Sequence, residues 1–500
     1  MPPRYAPLAA LLVLAASLTA AAQETGSLED AELTRVRFLD PDRGWAIGDR
    51  GAIWHTSDGG ARWSLQRTST TARLEALSVL DERHLWAAGG DIRPFTHRSQ
   101  GVLLRSHDGG LHWNSATETP NGDSTGEQPL PWIRELRMFD DRNGLAAGDP
   151  SRLLGGGLYA TSDGGRTWKP QPGVPARRWA AAEFINPFVG LLTEPNGPPL
   201  LWRQRTVEAG RMPREERRIR RIIVAGASGG WAIGERGLVL HTEDAGRSWN
   251  APAALLPGVA SEHDFRAIAA HGDSVWIAGS PGGLVFHSPD AGRSWQVQLT
   301  ENALPLNDLH FLDANRGWAV GALGTILATR DGGATWRKQR GAAPRAAVLL
   351  LATDPEHLDF ELAARLTGDD RALVAAAVLF DAHTASSAEE SDVRDRARRA
   401  ASVAGVSSME TSHRFPVPRA ELMLPEQAIT SAWGNSPEAG ADSLRAHLVR
   451  QLRTWRPDVV IVSGPAAESQ ERALTHRLLA EAVGIGAEVG LPATCVAGLH

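Results

Sequence analysis

The stretch TSDGGARW occupies residues 56–63, and near-copies of it recur along the chain. Six copies share the pattern Ser/Thr-x-Asp-x-Gly-x-x-Trp, and their acidic residues are Asp58, Asp108, Asp163, Asp244, Asp290 and Asp331. An aspartate in a tight turn accepts hydrogen bonds from the backbone N–H groups that follow it, and glycine supplies the positive φ that such turns need. A catalytic acid is needed once, whereas a structural turn is needed once per repeat. We therefore predict that these aspartates are structural.

A second phrase precedes most copies, as in GWAIGDRG (44–51), GWAIGERG (230–237) and GWAVGALG (317–324). Each unit then reads as short apolar strands separated by turn residues. The interval from Trp168 to Trp249 is about twice that from Trp295 to Trp336, which leaves room for one degenerate unit at 181–204. Four short strands per unit, repeated seven times, predict a seven-bladed β-propeller.

The octapeptide resembles the Asp-box, or BNR repeat, of sialidase-like propellers. Together with the GWAIGDRG and GWAVGALG phrases it resembles the photosystem II stability/assembly factor family over residues 25–340. That resemblance implies an exported assembly chaperone without chemistry of its own. A sialidase is the rival within the fold, and it needs a tyrosine nucleophile. Tyr159 is the one tyrosine outside the leader, and it lies two residues before an Asp-box, where we expect a blade strand.

The N-terminus predicts a secretory signal peptide over residues 1–22, because an apolar run from about Leu8 to Leu18 is followed by small residues. The run is shorter than the roughly 20 residues that span a bilayer. We expect export to the periplasm, with no membrane span after cleavage. Cys495 is the one cysteine, so no internal disulfide forms.

The formal net charge is −6, which gives no reason to expect a nucleic-acid partner. The Arg-rich stretch RMPREERRIRR (211–221) has two interpretations: a basic patch for an acidic partner, or a solvated loop or strand edge.

Beyond residue 340 the repeat stops, and apolar strands such as AVLLLA (347–352) alternate with helical patterns. This alternation predicts an α/β domain with a mostly parallel, Rossmann-like sheet. We divide the chain into a signal peptide (1–22), the propeller (23–340), a linker (341–346) and the α/β domain (347–500).

The order of elements and the phrase RPDVVIVSGP (456–465) resemble the PIG-L/LmbE-like de-N-acetylases, which are zinc hydrolases. The chain stops earlier than that family usually does, so we expect either a shortened domain or a sequence that is a fragment. The resemblance aligns Asp354 and His357 with the family's metal ligands and Glu356 with its general base. Asp and His are competent zinc ligands, and Glu is a competent base.

The family's third ligand has no counterpart, because the matching residues are Ser469, Gln470, Glu471 and Arg472. A guanidinium cannot bind a cation, and His476 could substitute only from a shifted helix. A vestigial domain without cofactor is therefore the preferred hypothesis, with a zinc site as the alternative.

The sequence thus predicts an exported propeller that binds a protein or a glycan at its upper loops and central mouth, followed by a vestigial de-N-acetylase-like domain. The alternative is a zinc-dependent N-deacetylase of an amino sugar, with the propeller as its targeting module.

Overall fold

The protein is described by a computed structural model. It describes residues 28–92, 99–116, 130–150, 155–194, 197–215, 217–341, 345–383, 387–411, 415–418, 425–463, 470–488 and 495–498. The predicted signal peptide and Ser469 lie outside these ranges.

Seven antiparallel sheets follow one another from Leu33 to Arg340 and form the seven-bladed propeller that the repeat predicted. Blades 1 to 3 contain β1 (Leu33–Phe38), β2 (Gly44–Gly48), β3 (Ile53–Thr56) and β4 (Ser64–Gln66); β5 (Arg73–Val79), β6 (Leu85–Ile92), β7 (Ser99–Ser106) and β8 (Asn114–Ser115); and β9 (Ile133–Met138), β10 (Gly144–Gly148), β11 (Leu158–Thr161) and β12 (Lys169–Pro170). Blade 4, the degenerate unit, contains β13 (Ala181–Asn186), β14 (Val189–Thr193), β15 (Leu200–Arg203) and β16 (Thr206–Ala209).

Blade 5 contains three strands, and blades 6 and 7 contain four each. They are β17 (Ile219–Ala225), β18 (Gly229–Gly234) and β19 (Val239–Thr242); β20 (Asp264–His271), β21 (Ser274–Ser280), β22 (Leu284–Ser288) and β23 (Gln296–Leu299); and β24 (Leu306–Phe311), β25 (Gly317–Gly321), β26 (Ile326–Thr329) and β27 (Arg337–Arg340). The first strand of each blade packs against the first strands of its two neighbours, so these seven strands surround the central channel.

Close backbone approach explains the glycine that ends the GWAIG and GWAVG phrases. A Cβ atom on Gly48 would lie 2.2 Å from Glu32 O, and one on Gly321 would lie 1.9 Å from Pro305 O. Both distances are below any normal contact, so a side chain would force the second strand away from the start of the first. The glycine at this position of the phrase is therefore required by the close packing of the first two strands of the blade.

The ring closes by side-chain packing between blades 7 and 1, and among the described residues no strand is exchanged between them. The rings of Phe38 and Trp318 stack with centroids 3.5 Å apart. Asn307 Nδ2 donates to Leu33 O at 2.9 Å, and Gln339 Nε2 donates to Gly59 O at 2.8 Å. Each blade is consequently built from one continuous segment of chain.

The C-terminal unit contains a five-stranded parallel sheet in the order β31-β29-β28-β33-β34. Its strands are β28 (Val348–Ala352), β29 (Val374–Val378), β31 (Ser408–Thr411), β33 (Val459–Ser463) and β34 (Cys495–Gly498), and β30 (Asp381–His383) and β32 (Pro416–Pro418) form a separate pair. Its helices are α1 (Phe360–Gly368), α2 (Ser387–Val403), α3 (Glu426–Ser431), α4 (Pro437–Trp455) and α5 (Gln470–Glu488).

Helices cover both faces of this sheet. Leu349 packs on one face with Leu444 of α4 and Leu478 of α5, whereas Leu350 packs on the other with Ala401 of α2. The predicted alternation of strands and helices is thus confirmed as a parallel sheet between helices. Within the ranges given above, no helix is long and apolar enough to span a bilayer.

The propeller and the C-terminal unit share a hydrophobic core. Leu304 and Leu323 of blade 7 are fully buried in the same cluster as Leu349 and Leu448. Ala346, in the segment predicted as a linker, is also buried there, and its N–H donates to Trp455 O at 2.9 Å.

Candidate functional site: the channel and its cover

The six Asp-boxes have one geometry, and it is that of a structural turn. In the first box, Asp58 Oδ1 accepts from Arg62 N at 2.9 Å and from Thr56 Oγ1 at 2.9 Å, while Gly60 N donates to Thr56 Oγ1 at 2.9 Å. The corresponding bonds recur in all six boxes. The sequence indicated the role of the aspartate, but not that the Ser or Thr hydroxyl bridges it to the glycine.

The electrostatics of the boxes agree with this geometry. Slight burial raises the pKa of Asp244, but hydrogen bonds from Ser248 and Thr242 outweigh it and lower the pKa to about 2. In Asp331 the hydrogen bonds from Thr335 are the largest influence, and they lower its pKa as well. Carboxylates held ionised by their own turn are poorly suited to proton transfer near neutral pH.

The residues proposed from the sequence as a metal site lie just beyond the carboxyl end of β28, in a short 3-10 turn over Pro355–His357. Asp354 Oδ1 accepts from Glu356 N at 2.9 Å and so caps the turn. His357 Nδ1 lies 3.2 Å from Thr353 Oγ1, and Glu356 is exposed. The turn therefore gives Asp354 a capping role that is independent of any metal.

A third ligand does not join these two residues in the part of the chain that the structure describes. No group of three His, Cys, Asp or Glu side chains there has an arrangement that could hold a metal ion. Gln470, Glu471 and Arg472 open α5, and His476 is half-buried one turn later. The zinc site therefore stays a prediction.

The channel contains a network of ion pairs that links four blades. Glu135 Oε1 accepts from Arg35 Nη2 at 2.6 Å and from Arg221 Nη1 at 2.7 Å. Asp308 accepts from Arg37 Nη1 at 2.6 Å and lies 3.5 Å from Arg221 Nη2. These residues come from the first strands of blades 1, 3, 5 and 7, so the network links alternate blades across the channel and also the adjacent blades 7 and 1.

Burial shifts the protonation equilibria of this network. It lowers the pKa of Arg35 to about 10, with the Arg221 charge as the next cause. Burial raises the pKa of Asp308, but Arg37, Arg221 and Arg35 lower it more, so the net pKa lies below the usual range. Charges of opposite sign thus keep one another ionised, which suits a structural network better than a catalytic pair.

Helix α2 lies over the mouth of the channel where the first strands begin, and Asp395 anchors it. Asp395 Oδ2 accepts from Arg134 Nη2 at 2.8 Å and from Arg178 Nη2. Arg178 Nε also lies 3.1 Å from Asp149 Oδ1. Burial raises the pKa of Asp395, but Arg134, Arg178 and Arg398 lower it far more.

Further polar contacts extend this interface around the mouth. Glu410 of β31 accepts from Arg266 Nη2 at 3.1 Å, from Ser280 Oγ and from Gln451 Nε2 at 3.2 Å. Arg399 Nη2 donates to Asp91 Oδ2 at 2.8 Å. A polar cavity of about 200 Å³ lies between the channel and this cover. The central mouth that the sequence proposed as a contact surface is therefore covered, on this face, by the chain itself.

Two other features singled out from the sequence have structural roles. Tyr159 is fully buried, and its hydroxyl donates to Asp149 O at 3.0 Å. In the stretch 211–221, Arg217 pairs with Glu215 at 2.6 Å, Arg220 pairs with Glu235 at 2.8 Å, and Arg221 belongs to the channel network. Much of its positive charge is thus neutralised within the fold.

The chain is similar to one known family and to several solved structures. The family described as photosynthesis system II assembly factor YCF48 matches residues 202–307. Among solved structures, "YCF48 bound to D1 peptide" is similar with a TM-score of 0.48 and 19% identity, covering 60% of this chain and 92% of that one. YCF48 from Cyanidioschyzon merolae is similar with a TM-score of 0.47 and 19% identity, covering 60% of this chain and 96% of that one. The GH74 enzyme of Niastella koreensis is similar with a TM-score of 0.42 and 16% identity, covering 61% of this chain and 43% of that one. Among curated proteins none matches.

Proposed function

We propose that the protein is an exported, periplasmic, non-catalytic scaffold that binds a protein partner through its propeller. In this proposal the C-terminal unit is a Rossmann-like domain of de-N-acetylase descent whose present role is to cover the channel. The match of the assembly-factor family to residues 202–307 supports the choice of a protein partner.

The main support for the proposal is that the buried acidic groups are paired with arginines of the same chain. Asp395 and Glu410, the buried acids of the C-terminal unit that face the propeller, bind Arg134, Arg178 and Arg266. The channel carboxylates are bound to channel arginines in the same way. The first set of pairs holds the C-terminal unit on the propeller, and the second links the blades to one another. A chemical step would require at least some of these groups to be released.

The test uses the tagged full-length chain expressed in its native host. After cross-linking and purification, we expect one protein in a fixed ratio to the scaffold that stays bound during size-exclusion chromatography. Cell fractionation of the same culture tests export. A glycan partner, which the sequence left open, is tested by glycan-array binding of the same preparation.

Metal analysis distinguishes the scaffold from the enzyme. We expect folded protein without stoichiometric zinc and without deacetylation of N-acetylglucosamine-type substrates. Stoichiometric zinc that is lost in a His357→Ala variant, together with deacetylase activity, would replace the scaffold proposal with the enzymatic one.

A further inference from the structure

The packing of Asp-boxes between blades defines a slot that recurs around the ring. Trp45 Nε1 of blade 1 donates to Gly109 O of the next blade's box at 3.1 Å. Trp86 donates in the same way to Gly164 O at 2.9 Å, and Trp276 to Gly332 O at 2.8 Å. At each of these junctions the box of one blade thus covers a tryptophan of the blade before it.

The slot is filled at two more junctions by the same part of the next box. A Cβ atom on Gly246 would lie 2.4 Å from Leu191 Cδ2, and one on Gly292 would lie 2.6 Å from Trp231 Cη2. These glycines belong to the boxes of blades 5 and 6, so they rest directly on the blade before. The glycine in the turn of an Asp-box is therefore what closes this space at these junctions.

The junction between blades 3 and 4 lacks both the tryptophan of the first blade and the Asp-box turn of the second. Leu145 of β10 lies where blades 1, 2, 5, 6 and 7 have tryptophan, and blade 4 has no Asp-box, because β15 and β16 are joined by the short turn Gln204–Arg205. Leu145 pairs across the sheet with Ala160, whereas Trp45 pairs with His55. A tryptophan and a histidine ring are thus replaced by a leucine and an alanine side chain, and the covering turn is missing.

A groove of about 680 Å³ results, and among the described residues nothing fills it. Its lining includes Phe139, Leu145, Ala160, Phe188, Trp202 and Arg205. Phe188 is 59% exposed, although large apolar side chains are usually covered. Trp202 occupies only the inner part, since it is fully buried and its Nε1 donates to Gln204 O at 3.0 Å.

The groove lining carries two charged side chains, Asp140 and Arg205. Asp140 keeps its negative charge, because hydrogen bonds within its own turn lower its pKa, but its carboxylate oxygens are already occupied: they accept from Arg142 N at 2.8 Å, from Asn143 N at 2.6 Å and from Asn143 Nδ2 at 2.8 Å. Arg205 is exposed, and within the described ranges it forms no ion pair. One cation is therefore available to a carboxylate that enters the groove.

We propose that this groove binds a protein partner that inserts an Asp-box-like turn, with a carboxylate to pair with Arg205, a glycine-rich backbone, and an aromatic ring over Leu145 and Ala160. The partner completes a junction that the chain itself completes elsewhere. This inference rests on the proposed scaffold function and assigns its binding surface.

The experiment measures fluorescence polarisation of a labelled cyclic peptide with the sequence of residues 161–168, TSDGGRTW, titrated with the full-length protein. We expect saturable binding that weakens at least tenfold when the peptide tryptophan is replaced by alanine. Leu145→Trp restores the side chain found in blades 1 and 2, so it fits the fold while filling the groove, and it should also reduce affinity at least tenfold. Ala160→His provides a second filling variant.

Charge reversal tests the polar half of the proposal. Arg205→Glu should weaken the peptide but not its Asp→Asn derivative, and Arg203→Glu, an exposed neighbour outside the groove lining, should change neither. Unchanged binding to both filling variants would overturn the inference. Self-association that Leu145→Trp abolishes would also overturn it, by showing that the occupant is a second copy of the chain.

The two proposals fail in different ways. If Leu145→Trp recovers the same cellular partner as the natural protein, the groove is not the binding surface although the scaffold function stands. If neither protein recovers a partner, the scaffold proposal itself is wrong.

Discussion

The Ser or Thr that begins each Asp-box has a role that is hard to recognise in the sequence, because its hydroxyl forms two hydrogen bonds within the turn. It donates to the box aspartate and accepts from the glycine four positions later, so it satisfies two polar groups in one turn. The sequence predicted the roles of aspartate and glycine because turn chemistry is local. It did not predict the hydroxyl's role, because serine and threonine are common in turns for several reasons.

Replacing this hydroxyl should weaken the propeller. In Thr161→Val, Asp163 loses a donor and the buried Gly165 N–H loses its acceptor, so we expect the free energy of unfolding to fall by about 1–2 kcal/mol. Chemical denaturation measures this, with Ser162→Ala, an exposed hydroxyl in the same box, as control. Equal effects of the two substitutions would contradict the assigned role.

Glu183 makes the stability of the protein depend on pH near neutrality. Burial raises its pKa from 4.5 to about 7, although Arg137 opposes this shift. Between these values the folded protein holds a proton that the unfolded chain has released, so stability decreases as pH rises through this window. Because the side chain is 34% exposed, water weakens the effect, and we expect about 1 kcal/mol.

The Glu183→Gln variant removes this titration. Relative to the natural protein it should gain that ~1 kcal/mol on going from pH 5 to pH 8, measured by denaturation at both pH values. Glu208→Gln, at an exposed position of the same blade, should show no such gain. A gain of equal size in the Glu208 variant would point to net charge as the cause.

At the scale of elements, helix α2 shows what local patterns can and cannot predict. The stretch AEESDVRDRARRAASVAGV (388–406) has the charge pattern of a helix, and the structure has a helix at Ser387–Val403. The pattern did not show that Asp395 would pair with Arg134 and Arg178, because those partners lie more than 200 residues away in sequence. Docking surfaces made of single charges leave no periodic signal in the chain.

Removing the charge of Asp395 should loosen the cover of the channel. Asp395→Asn leaves Arg134 and Arg178 buried with less compensation, and breaking such a buried pair typically costs about 3–5 kcal/mol. We expect faster hydrogen exchange in α2 and lower stability. Glu361→Gln, on the exposed side of α1, is the control. Unchanged exchange in α2 would show that its docking depends on other contacts.

At the scale of the whole molecule, the number of blades could be counted from the sequence because each blade comes from one continuous segment. The spacing of tryptophans therefore reported a spatial repeat, including the degenerate blade 4. The position of the C-terminal unit could not be predicted, since a buried leucine such as Leu323 looks like any other apolar residue. The metal hypothesis at Asp354 and His357 likewise depends on a third residue that sequence spacing does not locate.

Leu323 tests how far the two parts depend on each other. It occupies the turn position taken by Arg50 and Arg236 in blades 1 and 5, and all three residues have positive φ. Leu323→Arg therefore suits the backbone but places a charge in the shared core, and we expect a loss of about 3 kcal/mol or more in denaturation experiments. Arg236→Ala, at an exposed turn, should cost less than about 0.5 kcal/mol.

Closure of the ring without strand exchange has a consequence for how the molecule is made. Every blade has all of its strands as soon as its own segment has been synthesised, so blades can form one after another, from the N-terminal end, as the chain emerges. Blade 1 nevertheless lacks a neighbour on one side until β24 and β25 bring Asn307 and Trp318 against it. Blade 1 is therefore packed on both sides only after the last blade has been synthesised. The C-terminal unit, which covers the channel, follows later still.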